Sequence, residues 1–115
     1  MDIEARLIVL HIDFEKSIQQ LLLDGEKLPS CGIYSEINKT LQDLTKGYLT
    51  IDPEWVNYIL VDVMIEKDVL ILYYTCLVPA MLKNLQGKWV NIGELQDEHI
   101  QKMVFEAGHK VIARQ

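Results

Sequence analysis

The sequence predicts a compact α+β domain with a mixed, twisted sheet, a central helix and a C-terminal helix, on three observations. Arg6 to Phe14 alternates in period two, with Ile8, Leu10, Ile12 and Phe14 on one face and Leu7, Val9, His11 and Asp13 on the other. Two long apolar runs rich in Val, Ile, Leu and Tyr, Trp55 to Ile65 and Val69 to Val78, flank Glu66-Lys67-Asp68 and read as the arms of a hairpin. Two further stretches, from about Ser35 to Lys46 and from Asp97 to Ala107, carry apolar residues at helical spacing.

In chain order, Arg6 to Phe14 is the first predicted strand and Ile18 to Leu23 the second. Asp24-Gly25 closes the latter because both residues tolerate positive φ. Pro29 holds Leu28 in extended geometry. The first helix has Ser35 as a candidate cap and Gly47 as a candidate stop. Ile37, Leu41, Leu44 and Tyr48 fall close to one line at about 100° per residue, which makes that stripe the core face. Asp52-Pro53 breaks the chain before the hairpin. Both hairpin arms are apolar on nearly every residue, so each of their faces should be covered by another element or by a second subunit. After Pro79, Ala80 to Leu85 suggests a helical turn, Trp89 to Ile92 a short strand, and Asp97 to Ala107 a closing helix with Ile100, Met103, Val104 and Ala107 inward.

The 115 residues suit one domain, 1–115, with a modest core, and half of them are hydrophobic, which argues against disorder. No apolar run approaches the roughly 20 residues of a membrane span, and MDIEAR lacks the basic-then-apolar plan of a secretory signal. A cytoplasmic protein without a membrane partner is expected. Cys31 and Cys76 show neither a disulfide framework nor a zinc spacing, so reduced thiols are expected. A net charge of −6 argues against nucleic acid as a partner, because affinity for phosphate backbones comes from clustered Lys and Arg.

The stretch KLPSCGIYSEINKTLQDLTKGYL, Lys27 to Leu49, places a Leu-Pro-small-small-Gly turn before an amphipathic helix, between two β-like segments. This order resembles a Nudix domain. The family's signature reads glycine, five residues, glutamate, seven residues, Arg-Glu, an aliphatic residue, any residue, Glu-Glu, any residue, glycine, aliphatic. With Leu44 as the aliphatic residue, Gln42 stands at the arginine, Asp43 at the following glutamate, Lys46 and Gly47 at the glutamate pair, and Leu49 at the last glycine. The loop from Cys31 or Gly32 is three or four residues short, which leaves Glu36 as the nearby candidate for the first glutamate. Lys88-Trp89-Val90-Asn91-Ile92-Gly93-Glu94-Leu95 is similar to the Trp-Val-x-x-x-Glu-Leu segment that often precedes the family's last helix.

Glu36 and Asp43, seven residues apart on the helix, project within about 20° of each other and offer hard oxygen ligands to a divalent cation. Glu94 would supply a base from the later loop, as the resemblance implies; Asp97 near it has a simpler use as a helix cap. A competing reading takes Lys39 and Lys46 as surface partners of Glu36 and Asp43, three residues along in each case. Their charge also disfavours a bound dication and suits an anionic ligand. His11, His99 and His109 have no metal-ligand spacing. Cys31 stands without an adjacent base. Asp62 is a charge inside the hairpin that needs either a partner or solvent.

The resemblance thus implies a catalytically degenerate Nudix-like module that binds a nucleotide-related small ligand or a protein partner with no cofactor, and the apolar surface of the two hairpin arms, more than one such domain readily covers, implies a homodimer. The alternative is a divergent Mg²⁺-dependent hydrolase of nucleoside-diphosphate-linked substrates, with Glu36 and Asp43 on the metal.

Overall fold

A computed structural model describes residues 2–78 and 83–113. The described chain runs β1 (Asp2–Asp13), β2 (Ile18–Leu23), β3 (Ser30–Gly32), α1 (Ile37–Tyr48), a 3-10 turn (Pro53–Trp55), β4 (Ile59–Glu66), β5 (Val69–Val78), β6 (Lys88–Asn91), a second 3-10 turn (Ile92–Glu94) and α2 (Glu98–Ala113). The strands form one mixed sheet in the order β4-β5-β1-β2-β6, with β3 also paired to β1.

β1 organises this sheet. It runs parallel to β5 from Asp2 opposite Val69 to His11 opposite Val78, while its other edge is shared by β3, at Glu4 to Arg6, and β2, at Leu10 to Asp13. A strand so placed is covered on both faces, and Leu7, Ile8, Val9 and Leu10 are all buried. Phe14 does not continue the apolar face. It lies past the strand and is 67% exposed, because the chain turns here through Ser17 at φ 53°.

Each face of the sheet packs one helix. Leu10, Ile71 and Tyr73 meet Ile100, Met103, Val104 and Ala107 of α2, the four residues expected to point inward. On the opposite face, Leu7, Val9, Cys76 and Val78 meet Leu41 and Leu44 of α1, with Ile37 and Tyr48 partly buried beside them.

The helix ends depart from the sequence reading for identifiable reasons. Glu36, not Ser35, is the N-cap of α1, and its side chain makes no capping hydrogen bond. Gly47 does not stop the helix, which continues through Tyr48 to an extended Leu49. Its last carbonyls find partners elsewhere in the fold: the Leu85 N–H donates to the Tyr48 carbonyl at 2.7 Å and the Gln86 side-chain amide to that of Gly47 at 2.8 Å. The closing helix is longer than its apolar pattern indicated and begins after Asp97, whose carboxylate accepts from the His99 and Ile100 N–H groups.

The hairpin turns where expected, with Glu66 opposite Val69 and both Lys67 (φ 49°) and Asp68 (φ 66°) left-handed, the geometry that matches a two-residue turn to strand twist. Its first arm is shorter than the apolar run: β4 starts at Ile59, and Trp55 lies in the 3-10 turn capped by Asp52. β4 is an edge strand with a bulge between Leu60 and Asp62. The Asp62 carboxylate accepts from the Val63 N–H at the exposed edge. Of the expected turn from Ala80 to Leu85, residues 80–82 lie outside the described residues, and Asn84 forms an isolated bridge with Leu49.

Candidate functional site: a cleft between the first helix and the third strand

β3 brings Cys31 and Gly32 against the flank of α1, and the loop between them carries Tyr34 and Ser35 outward. A Cβ on Gly32 would stand 2.7 Å from the tip of the Tyr34 ring, so a larger residue there would push this exposed ring outward. With Thr40, Asp43, Leu44 and Gly47 from α1 these residues enclose an open cleft of about 400 Å³. Asp43 is the carboxylate on this cleft among the described residues.

Glu36 lies at the start of the same helix, exposed to solvent and off this lining. Lys39 and Lys46 are exposed as well. The surface pairs Glu36 with Lys39 and Asp43 with Lys46 do not form; the ion pairs of the described residues join Arg6 to Glu4 at 2.7 Å and to Glu66 at 3.7 Å. Solvated side chains on an exposed helix face gain little from pairing relative to the freedom they lose. Both ammonium groups are thereby open to an external anion.

The Cys31 thiol is pushed up by burial, with Glu4 and Asp43 adding to the shift, so the thiolate that nucleophilic attack needs is disfavoured. Glu94, in the second 3-10 turn, accepts from the Asn91 side-chain amide at 3.4 Å. It lines a different cleft of about 480 Å³ together with Leu23, Glu26, Leu95 and Asp97. The structure does not bring Glu94 to the Asp43 cleft.

Magnesium requires several hard oxygen ligands in near-octahedral array. Among the described residues no three of His, Cys, Asp and Glu stand close enough to hold a metal ion, and the helix positions around Asp43 present Gln42, Lys46 and Gly47. This donor set does not fit the cation that the fold would suggest.

The histidines have structural contacts: His11 is buried, with Nδ1 3.3 Å from the Val78 carbonyl, and His109 packs edge-on against Phe105. His99 belongs to a cluster that the sequence did not announce. Arg6 donates to the Tyr73 hydroxyl at 2.9 Å, and the same hydroxyl lies 3.1 Å from Nε2 of His99. Residues 67 positions apart meet here through the parallel β1–β5 pairing, a register no local pattern encodes.

No protein-family model matches the sequence, and no curated protein matches it. Solved structures do resemble it. A mutT/nudix family protein from Listeria innocua matches with a TM-score of 0.73 at 11% identity, covering 99% of this chain and 98% of that one. The NUDIX domain of Shewanella oneidensis NrtR, in a cocrystal with ADP ribose, matches with a TM-score of 0.67 at 12% identity over 95% of this chain and 87% of that one. A MutT/nudix family protein from Enterococcus faecalis has a TM-score of 0.59 at 16% identity over 78% of this chain; the match spans only 43% of that protein. No helix of the described residues is long and apolar enough to cross a membrane. With α1 and α2 on opposite faces of a mixed sheet led by β1, the chain has the Nudix fold.

Proposed function

We propose that this chain, as one Nudix-like domain over residues 1–115, is a catalytically degenerate binding module for a nucleotide-related ligand, with the ligand's anionic part held by Lys39 and Lys46. One observation carries the reading: among the described residues, α1 presents two ammonium groups without carboxylate partners beside a cleft lined by one carboxylate, Asp43. Hydrolysis of a bridging pyrophosphate needs metal both to neutralise the substrate and to acidify the attacking water. One cleft carboxylate with Lys46 a turn away favours holding the anion over assembling cations around it. The ADP ribose bound by the structural neighbour from Shewanella supports the ligand class. The module acts in the cytoplasm, consistent with its two free thiols, and as a homodimer through the exposed apolar side chains of β4.

The test is a panel of nucleoside triphosphates, dinucleoside polyphosphates and nucleotide sugars, each with Mg²⁺ or Mn²⁺. It is read for turnover and for thermal stabilisation on wild type, Glu36→Gln, Asp43→Asn and Lys39→Ala/Lys46→Ala. Stabilisation without turnover, about 2.7 kcal/mol at a ligand concentration 100 times Kd and lost in the lysine double variant, is the expected result. Turnover that Glu36→Gln and Asp43→Asn both abolish would restore the metal-dependent hydrolase.

A further inference from the structure

A second cleft, of about 700 Å³, opens on the other flank of α1, between the helix and the Pro53–Trp55 turn. Asn38 and Gln42 stand one turn apart on the helix and so present their carboxamides along one line. Facing them are Glu54, Trp55 and Asn57, above a floor that includes Tyr58. Trp55 is 83% exposed, an unusual position for the largest apolar side chain in a fold that buries Tyr73 completely. The carboxamides of Asn38, Gln42 and Asn57 have no protein hydrogen-bond partner among the described residues. None of the described lining residues is Lys or Arg.

These features describe one chemistry. An exposed indole is a stacking platform for a flat ring. Each carboxamide offers a donor and an acceptor in one plane, the pattern that pairs with the edge of a heterocycle. Glu54 adds an acceptor for an exocyclic amine. With no Lys or Arg among its described lining residues, that lining offers hydrogen bonds and a ring face and no positive charge for a phosphate. At about 100° per residue, Lys39 and Lys46 lie about 40° to 100° around the helix from Asn38 and Gln42, on the ridge that separates this cleft from the one beside Asp43.

We propose that this cleft is a nucleobase pocket, in which Trp55 stacks on the ring, Asn38, Gln42 and Asn57 read its edge, and any attached phosphate leads out over the α1 ridge toward Lys39 and Lys46. The assignment rests on the nucleotide-related reading above and names where the base sits. It also separates the two halves of the ligand onto different side chains, so each half can be tested alone.

The experiment titrates the intact protein with adenosine, guanosine, cytidine and uridine, which carry no phosphate, and separately with inorganic tripolyphosphate and with sucrose. The readouts are Trp55 fluorescence, with Trp55→Phe to subtract Trp89, and the ¹H–¹⁵N resonances of the indole and the side-chain amides. At least one nucleoside is expected to shift the Trp55 indole and the Asn38 and Gln42 carboxamides, and tripolyphosphate is expected to leave them in place. Trp55→Ala, at an exposed position, should weaken that nucleoside about tenfold, and Asn38→Ala or Gln42→Ala about fivefold. The pocket is refuted if no nucleoside moves these signals at millimolar concentration, if sucrose moves them equally, or if the three substitutions leave affinity unchanged. Nucleotide stabilisation with a silent Trp55 would overturn this pocket alone. Nucleoside binding here with no response to tripolyphosphate would support the pocket and remove the lysines from the ligand site.

Discussion

Tyr58 and Cys76 illustrate how burial sets chemistry at single residues. Tyr58 is pushed up to about 12 by burial, against a hydrogen bond with Thr45 that acts the other way, and Cys76, fully buried, is pushed from 9.0 to about 12. Tyr48, whose hydroxyl donates to Asp24 at 2.5 Å, is raised to about 12 by burial and by that contact. A group whose folded pKa lies above its unfolded value contributes stability below the unfolded value and loses it as pH rises toward the folded one. Stability against urea should therefore be level through neutrality and fall between about pH 9 and 12. Tyr58→Phe should make that fall shallower, and an unchanged alkaline profile in this variant would discount Tyr58 as a cause. None of this was legible from the residues themselves: Cys31 and Cys76 look alike in sequence, yet one borders a cleft and the other is sealed beneath α1.

At the scale of elements, α1 shows what periodicity carries and what it omits. Ile37, Leu41, Leu44 and Tyr48 all face the sheet as their spacing requires, with Leu41 completely buried. Leu41→Ala should cost about 2–5 kcal/mol through lost burial and the cavity left behind, measured as a shift in the denaturation midpoint; an unchanged midpoint would take α1 out of the core. Ser35 and Gly47 are good local terminators, yet α1 starts after Glu36 and runs on to Tyr48, where its last carbonyls are met by Leu85 and Gln86 from almost 40 residues away. β4 departs in the same way. Its composition suggests a strand covered on both faces, yet Val61 is the buried residue of β4, and Leu60, Val63 and Ile65 are 41%, 46% and 64% exposed.

For the whole molecule, that exposure is the main unresolved demand of the fold. Val63 and Ile65 sit opposite Leu72 and Leu70 on the sheet face that α1 covers only beyond Tyr74, and the outer edge of β4 has no strand partner among the described residues. Exposed apolar face and open edge together favour association with a second copy. Light scattering should give a dimer mass at micromolar concentration. Ile65→Lys should shift it to monomer with little loss of thermal stability, since the side chain is already largely in water. A monomer mass for wild type across a wide concentration range would contradict the dimer.

The sequence by itself determined both helices, their inward faces and every strand except β3, because period-two and 3.6-residue patterns are local consequences of burying one face, whereas Ser30–Gly32 is too short to show a period and reads as a turn. The Leu-Pro-Ser-Cys-Gly turn and the helix after it were enough to suggest the Nudix fold that the structure has. Only the tertiary structure decided which carboxylates meet. Asp43 lines the β3 cleft, Glu36 stays in solvent and Glu94 belongs to a separate cleft, because sheet order and loop paths, not spacing along the chain, bring side chains together. It also decided where Trp55 goes. The apolar run made it the first residue of a buried hairpin arm, but the Asp52-Pro53 turn holds it off the sheet, exposed on the cleft that Asn38 and Gln42 also line.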